Sequence, residues 1–350
     1  MSTSIKQNGL SFFIFGHGHD NTLPDSGEGN KRSVDYIEYD SAYAAIDATG
    51  RYVWLAGVSE GLKKFDLLTF EEVDRGSIPA GGGIIYALYH PTNVANNYGI
   101  FFTGESEETA EVYVFNLTDN SIITHRTLIN AFFMPQCDCI IVDGEVRLCT
   151  LTQSRASNYI YRFNISDIDI TQYGFANNPK NASCGFITEN SAFSYYEPEW
   201  FYQNKAMFGV SLSGALTWSV QASRSGGSGF PNVSQIGWGN NGYLWMPCYV
   251  NDTWCIGAFV PSSSTDFETP SPTRVFGEFP ELPYMKYQNH YHVAHNTGRT
   301  KVAFTTSLGV YFSDYETLWK LTDDIHYALA ANDNTIICSD GRYLTYVYRL

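Results

Sequence analysis

Short runs of hydrophobic or alternating residues fill the chain, and Gly, Asn, Asp and Ser separate one run from the next. No long segment carries apolar residues at the i, i+3, i+4 and i+7 spacing of an amphipathic helix. The clearest stretch, residues 43–73, predicts strands over 43–46, 52–56 and 62–67, with a fourth strand after a further turn. The pattern therefore predicts an all-β chain.

A triplet that begins with an aromatic residue recurs at the ends of predicted strands. Phe65-Asp66-Leu67, Phe115-Asn116-Leu117 and Phe163-Asn164-Ile165 follow each other at intervals of 50 and 48 residues. Less exact copies stand at Trp218-Ser219-Val220, Ala258-Phe259-Val260, Tyr311-Phe312-Ser313 and Tyr346-Val347-Tyr348. A period of this length with four strands in each repeat is typical of a β-propeller. The seven units predict one domain over residues 1–350, a seven-bladed β-propeller of four-stranded antiparallel blades.

The first unit resembles the blades of YVTN-type and quinoprotein-like propellers. The residues that carry this resemblance are Asp47-Ala48-Thr49-Gly50-Arg51-Tyr52-Val53-Trp54, followed by Gly61-Leu62 and Phe65-Asp66-Leu67, with a weaker copy over residues 332–343. No Trp is followed by Asp, so the WD40 signature is absent. The resemblance implies the propeller architecture and no particular function, because one fold serves many functions.

Two segments interrupt the repeat: a polar, turn-rich loop over residues 16–34 and a proline-rich insertion over residues 261–283. We expect the insertion to cross the surface as an extended arm and to form no blade strand. The alternative is that its apolar side chains fold back onto the propeller's own face. The expectation rests on five prolines, each of which would remove a donor from a sheet: Pro261, Pro270, Pro272, Pro280 and Pro283.

The two ends of the chain are predicted to meet. Propellers leave only short, protected sheet edges. The ring is closed when a strand from one terminus of the chain completes the blade that the other terminus forms. Residues 10–15 form an isolated apolar run before the first complete unit, and residues 343–348 form the last strand-like run. We predict that both runs lie in one blade, so that removing residues 1–15 lowers thermal stability.

The charge balance argues against nucleic acid and membrane partners. The chain has 21 Lys and Arg against 36 Asp and Glu, a formal net charge of −15, which repels phosphate backbones and anionic lipid. No apolar run has the length of a membrane span, and the first residues lack a signal-peptide pattern. We therefore expect no nucleic acid partner and no membrane insertion. The odd number of cysteines, 7, is typical of a protein assembled in a reducing cytosol.

Two histidine clusters have spacings that a metal site could use. His17 and His19 flank a glycine, and His290, His292 and His295 lie on one predicted strand and its end. Neither cluster belongs to a complete metal-binding motif. We interpret these residues as turn and strand-end histidines, and we expect no metal and no cofactor.

The cysteine and acidic clusters predict no catalytic centre. Cys137, Cys139 and Cys149 lack the paired spacing of a zinc knuckle and are interpreted as small buried hydrophobic residues. Glu197 and Glu199 stand beside aromatic residues, as the carboxylates of a glycoside hydrolase do, but they share one segment with a proline between them. We interpret them as part of a solvated loop. The second acidic cluster is interpreted as a solvated turn and contains Glu105, Glu107, Glu108 and Glu111.

Aromatic residues in apparent loops are the candidate contacts with a partner. Aromatic side chains make up 16% of the chain, and many of them must fill the interfaces between blades. Those in loops offer a large, rigid contact area at a low cost in conformational entropy. The predicted partner-binding residues are Phe276, Phe279 and Tyr284, supported by Trp200 and Trp238.

The sequence therefore favours a non-catalytic binding or assembly module. The chain has few lysines, many Asn, Ser, Thr and Tyr residues and no enzyme motif. In these features it resembles bacteriophage virion proteins. That resemblance implies a structural protein of the virion, such as a tail or receptor-binding protein, assembled in the host cytoplasm. Its partners would be other protein chains of the assembly, or a cell-surface glycan or receptor. The alternatives are a propeller glycoside hydrolase or lyase acting on polysaccharide, and an intracellular protein-interaction scaffold.

Overall fold

Within the part of the chain that the structure describes, the regular structure consists of β-strands. The computed structural model describes residues 4–7, 10–13, 34–57, 61–74, 84–91, 97–106, 109–129, 139–151, 158–164, 167–174, 182–187, 191–196, 204–211, 216–223, 237–238, 244–250, 253–259, 274–279, 286–287, 290–291 and 293–350. None of these segments contains a helix long and apolar enough to cross a membrane.

The first half of the chain forms a hairpin and three four-stranded antiparallel sheets. The hairpin joins Ser4–Gln7 (β1) and Leu10–Phe13 (β2), and the next strand is Val34–Glu38 (β3). Sheet 1 contains Tyr43–Ile46 (β4), Tyr52–Gly57 (β5), Gly61–Asp66 (β6) and Glu72–Val73 (β7). Sheet 2 contains Ile84–Tyr89 (β8), Tyr98–Ser106 (β9), Thr109–Asn116 (β10) and Ile122–Ile129 (β11). Sheet 3 contains Cys139–Val142 (β12), Glu145–Leu151 (β13), Asn158–Asn164 (β14) and Asp167–Gly174 (β15).

The second half forms four more sheets of the same kind and a second hairpin. Sheet 4 contains Ala182–Ile187 (β16), Ser191–Tyr196 (β17), Asn204–Ser211 (β18) and Leu216–Ser223 (β19). Sheet 5 contains Gly237–Trp238 (β20), Leu244–Val250 (β21), Thr253–Phe259 (β22) and Arg274–Phe279 (β23), and Lys286–Tyr287 (β24) pairs with His290–Tyr291 (β25). Sheet 6 contains Val293–His295 (β26), Val302–Thr306 (β27), Gly309–Ser313 (β28) and Leu318–Thr322 (β29). Sheet 7 contains Tyr327–Ala331 (β30), Thr335–Ser339 (β31) and Leu344–Arg349 (β32), with β3 at its edge.

Sheet 1 shows how the local sequence produces this pattern. Asp47 follows β4, and its Oδ1 accepts the backbone N–H groups of Arg51 at 3.0 Å and Tyr52 at 2.9 Å, which closes a tight turn. Gly50 lies in that turn with a φ of 70°, a conformation that favours glycine. Strands β4, β5 and β6 confirm the strands predicted from the sequence to within one residue at each end.

The core lies between successive sheets. Sheet 1 packs on sheet 2 through Trp54 and Phe115, whose rings meet edge to face with centroids 4.9 Å apart. The other face of sheet 1 packs on sheet 7, where Leu55 and Ile337 are fully buried. Two further apolar layers lie between sheets 5 and 6 and between sheets 6 and 7. Because these sheets are covered on both faces, strands such as β27, β28 and β31 are buried at every position.

Contacts between neighbouring sheets follow the order of the chain. Sheets 2 and 3 meet through β11 and β15, sheets 3 and 4 through β13 and β16, and sheets 4 and 5 through β16 and β20. Sheets 5 and 6 meet through β23 and β29, and sheets 6 and 7 through β26 and β30. Strand β30 of sheet 7 also contacts β4 of sheet 1. Each sheet therefore contacts the next, and the last contacts the first.

The recurring triplet marks the third strand of a sheet in six of its seven copies. The first three copies lie at the ends of β6, β10 and β14, and the last three lie in β22, β28 and β32. The copy at Trp218-Ser219-Val220 is an exception, because it lies in β19, the fourth strand of sheet 4. The third strand of this sheet, β18, carries a similar run near its end, Phe208-Gly209-Val210.

Residues 10–15 were predicted to complete the last sheet, and this prediction is wrong, because a different N-terminal strand does so. An N-terminal strand does pair with β32, but it is β3, with Tyr36 opposite Tyr346 in the register. Leu10–Phe13 pairs instead with Ser4–Gln7, which is only two residues away. A short hairpin connection costs far less entropy than pairing with the far end of the chain. Residues 16–33 of the predicted polar loop lie outside the described residues, and Val34 begins β3.

The proline-rich insertion was predicted to contain no blade strand, and this prediction is wrong for its central part. Arg274–Phe279 forms β23, which pairs with β22 as the outer strand of sheet 5. The physical reason is the position of the prolines, because none lies between Pro272 and Pro280 and the strand fits between them. Residues 261–273 and 280–283 lie outside the described part of the chain.

The interface between sheets 1 and 2 should depend strongly on Trp54. The change Trp54→Ala removes a fully buried ring and the hydrogen bond from its Nε1 to the carbonyl of Leu117 at 2.8 Å. We expect the free energy of unfolding, measured by urea titration, to fall by about 3–5 kcal/mol. The control Leu68→Ala alters a side chain that is 68% exposed and should change it by less than about 0.5 kcal/mol. Equal effects of the two changes would contradict this packing.

Deletions from the N-terminus should identify the strand that completes sheet 7. Removal of residues 1–38 takes away β3, including the buried side chain of Ile37, and should lower the melting temperature by roughly 5 °C or more. Removal of residues 1–15 leaves β3 in place and should have a much smaller effect. Calorimetry of both variants measures the difference, and a larger loss from the shorter deletion would disprove the role of β3.

Candidate functional site

The predicted partner-binding residues do not form one exposed group among the described residues. Phe279 is only 3% exposed and packs edge to face on Tyr311, with ring centroids 5.1 Å apart, in the core between sheets 5 and 6. Its side chain is therefore unavailable to a partner, and the prediction of a docking role for Phe279 is wrong because β23 faces sheet 6. Phe276 lies in β23 and Trp238 in β20, without a described side chain. Tyr284 and Trp200 lie outside the described residues.

His295 is the member of the second histidine cluster whose side chain the structure describes. His295 is buried at the end of β26, and its Nδ1 lies 3.0 Å from the hydroxyl of Tyr315. His290 belongs to β25, whereas His292, like His17 and His19, lies outside the described residues. Over the described ranges, no group of three or more His, Cys, Asp or Glu residues could hold a metal ion.

Of the remaining candidates, Cys139 and Glu111 have described side chains. Cys139 is a buried thiol in β12, which confirms its interpretation as a small buried hydrophobic residue. Glu111 accepts a hydrogen bond from the hydroxyl of Tyr113 at 2.7 Å and lies 3.8 Å from His125. Burial and the Glu111 carboxylate raise the pKa of Tyr113 to about 12. The candidates without a described side chain are Cys149 and Glu105, and those outside the described residues are Cys137, Glu107, Glu108, Glu197 and Glu199.

A buried polar junction joins sheets 1 and 2 at one end of the strands. Besides closing its own turn, Asp47 accepts hydrogen bonds at Oδ2 from the hydroxyls of Thr49 at 2.6 Å and Thr118 at 2.8 Å. Thr118 belongs to the turn between β10 and β11, so the carboxylate links two sheets. The aspartate was part of the blade resemblance in the sequence, but its partner on the next sheet was not predicted.

Lys64 completes this junction. Its side chain is buried, and its Nζ donates to the carbonyl of Thr118 at 2.6 Å and to Oδ1 of Asn120 at 2.8 Å. The ammonium group also lies 4.3 Å from the centroid of the Tyr52 ring. Burial lowers the pKa of Lys64, an effect that the nearby carboxylates of Asp47 and Asp119 oppose. Lysines of lowered pKa occur at reactive sites, but here the hydrogen bonds hold the amine between two sheets as a structural link.

Sheets 6 and 7 are joined in the same way at the same end. Asn296 follows β26 as Asp47 follows β4, and its Nδ2 donates to Oδ1 of Asp333 at 2.6 Å. Its Oδ1 accepts the backbone N–H of Lys301 at 2.7 Å, and the ammonium of Lys301 donates to the carbonyl of Asp333 at 3.1 Å. In sheets 1 and 6 the first turn therefore carries polar groups that bind the next sheet.

The opposite end of sheet 7 carries a different cluster, built around His326. The imidazole is buried, its Nδ1 lies 2.7 Å from the hydroxyl of Tyr348, and its ring stacks on Tyr346 with centroids 3.9 Å apart. The backbone carbonyl of His326 accepts a hydrogen bond from the buried hydroxyl of Thr305 at 2.6 Å. These contacts fix both the main chain and the ring of His326.

Burial determines the protonation state of the ring. It lowers the pKa of His326, and the carboxylates of Asp324 and Asp340 only partly oppose this shift. The imidazole is therefore neutral at neutral pH, and its Nδ1 is hydrogen-bonded to the hydroxyl of Tyr348. The pKa of Tyr346 is raised by burial and by Asp340 and Asp324, so its phenol remains protonated.

The turn beside this cluster presents an aromatic side chain to solvent. Oδ1 of Asp340 accepts the backbone N–H groups of Arg342 at 2.8 Å, Tyr343 at 2.9 Å and Leu344 at 3.0 Å. The hydrogen bonds fix the turn, which leaves the Tyr343 side chain 77% exposed. The apolar pattern predicted a strand-like run that begins at Tyr343, but the turn signal Ser339-Asp340-Gly341 extends as far as this residue.

Further exposed apolar residues surround the same cluster. Tyr36 is 39% exposed and lies opposite Tyr346 in the register, so the two side chains share one face of sheet 7. Ile325, which is 38% exposed, directly precedes His326. We name this group of four residues the tyrosine surface: Tyr36, Ile325, Tyr343 and Tyr346.

The neutral state of His326 should make stability depend on pH. In the unfolded chain the imidazole binds a proton below about pH 6.5, whereas the buried ring resists protonation until a lower pH. The melting temperature should therefore fall as the pH decreases from about 7.5 to about 5. The variant His326→Phe keeps a ring beside Tyr346 and should show a smaller fall. Equal slopes for wild type and His326→Phe would contradict this assignment.

Comparison with known proteins supports the architecture. A scan against protein-family models gives no match, and a search of curated proteins gives none. Among solved structures, the chain is similar to the β-propeller domain of Cps50 (Swd1) from Myceliophteria thermophila, with a TM-score of 0.55 and 10% sequence identity. The match covers 91% of this chain and 100% of that one. At this identity the likeness concerns the fold alone, and the chain has an all-β propeller fold, as the repeats predicted.

Proposed function

We propose that this chain is a non-catalytic binding or assembly module built on a single seven-bladed propeller. In this proposal each four-stranded sheet is one blade, and β3 completes the last blade. The support is the series of contacts from each sheet to the next and from sheet 7 back to sheet 1. A rigid ring of this kind holds surface groups in fixed positions, which suits a module whose task is to bind.

The tyrosine surface is the observation that carries the proposal. Tyr343 extends from a turn whose backbone is held by three hydrogen bonds to Asp340, so little backbone conformational entropy remains to be lost on binding. Tyrosine is enriched at the contacts that dominate protein interfaces, because it offers a large area and a polar hydroxyl group. The exposed neighbours Tyr36 and Ile325 extend this contact area.

We further propose that the partners are other protein chains and that the setting is a bacteriophage virion. The support for the virion is compositional, since charged residues make up only 16% of the chain and Asn, Ser, Thr and Tyr provide much of its polarity. A cell-surface glycan or receptor would be the partner of a tail or receptor-binding protein. Contacts through Phe276, Tyr284, Trp200 and Trp238 stay predictions, since no described side chain bears on them.

Association without turnover is the expected behaviour of the purified chain. Sedimentation velocity over a range of concentrations measures self-association, and flow cytometry with labelled protein measures binding to bacterial cells. Tyr343→Ser should reduce whichever association is observed, whereas Leu68→Ser, at an exposed site on the opposite end of the strands, should leave it unchanged.

Enzymatic activity is the outcome that would contradict this proposal. A panel of polysaccharides incubated with the purified chain should release no reducing ends. Release that requires the folded chain would favour the propeller glycoside hydrolase or lyase instead. A chain that neither associates nor binds cells at any concentration would also overturn the proposal.

A further inference from the structure

We propose that the tyrosine surface binds an arginine side chain on an exposed segment of a partner protein. This inference rests on the proposed binding function and specifies the chemistry of the partner. It concerns one end of sheet 7 and draws on the arrangement of rings and charges there.

Carboxylates surround the aromatic rings at this end of the sheet. Asp324 lies two residues before His326, whose backbone N–H donates to the carbonyl of Asp324 at 3.1 Å. Asp340 follows Ser339, which pairs in the register with Tyr327, the residue after His326. Glu38 is exposed two residues after Tyr36 on the same strand and therefore on the same face. Among the described residues of the neighbouring turn, Arg342 adds one positive charge to these three carboxylates.

Other charges nearby do not reverse this balance. Lys320 forms an ion pair with Asp323, so that these two charges offset each other. His326 is neutral at neutral pH because it is buried. The whole chain carries a formal charge of −15, which adds to the local attraction for cations.

Carboxylates beside aromatic faces favour one class of ligand. A cation gains from both groups, because the ring quadrupole and the carboxylate attract it together. An apolar ligand would remove water from the carboxylates without compensation, and an anion would be repelled. Arginine fits better than lysine, since its planar guanidinium stacks on a ring while its N–H groups bind a carboxylate.

The chain uses the same chemistry internally. The guanidinium of Arg51 donates to Oδ2 of Asp66 from both Nε and a terminal nitrogen, at 3.0 and 2.7 Å. The same group lies 5.7 Å from the centroid of the Tyr52 ring. This arrangement contains the three groups that the tyrosine surface would bring together with a partner: a guanidinium, a carboxylate and a tyrosine ring.

Peptides of alternating Gly and Arg, Gly and Lys, and Gly and Glu are the probes for the test. Titration at low ionic strength, followed by nuclear magnetic resonance, should show binding of the Arg peptide, weaker binding of the Lys peptide and none of the Glu peptide. Tyr343→Ser and Asp324→Asn should each weaken binding of the Arg peptide by roughly twofold to fivefold. Tyr343→Phe keeps the aromatic face and should retain binding.

Two controls separate this site from general attraction to an acidic protein. Leu68→Ser and Asp119→Asn alter exposed residues at the other end of the strands and should leave the affinity unchanged. If Tyr343→Ser has no effect, or if the Glu peptide binds as well as the Arg peptide, the inference is wrong. If no Arg peptide binds while Tyr343→Ser still reduces association of the chain, only this inference fails and the proposed binding function stands.

Discussion

The packing of one sheet against the next is the constraint on which the rest of the structure depends. Sheet 1 is apolar on both faces, with Trp54 and Leu62 facing sheet 2 and Leu55 and Val53 facing sheet 7. A sheet of this kind gains its stability only when neighbours cover both faces, because either face left in water would expose a row of large apolar side chains. Sheets 1 and 7 are the first and last in chain order, and their contact covers one face of each. Strand β3 pairs with the outer edge of β32.

Polar groups determine how the packed layers are aligned. Apolar burial is non-directional, so it would tolerate some sliding of one sheet over another. The hydrogen bonds of Asp47 and Lys64 to the turn of the next sheet, and of Asn296 to Asp333, have defined geometry and prevent such sliding. They lie at one end of the strands. The other end, where the tyrosine surface lies, carries the exposed rings.

The strands and the repeat could be predicted because both depend on neighbouring residues. The turn at Asp47 and the continuous apolar run of β5 are visible in the local sequence. Which strand completes sheet 7 could not be predicted, since pairing of β3 with β32 joins opposite ends of the chain and leaves no local signal. The burial of Phe279 was missed for a related reason: prolines on both sides of β23 suggested a loop, and only the position of sheet 6 shows where the ring packs.

The candidate site was harder to predict than the fold, because the position of its exposed tyrosine rings depends on packing against the buried side chain of His326. In the sequence, His326 is an isolated histidine. In the structure its ring stacks on Tyr346 and holds that side chain in place. Because the imidazole is neutral, it does not offset the charges of the nearby carboxylates. Protonation of His326 would place a positive charge beside Asp324 and Asp340 and reduce their attraction for a cation. The same buried ring therefore supports both the packing of sheet 7 and the negative character of its surface at neutral pH.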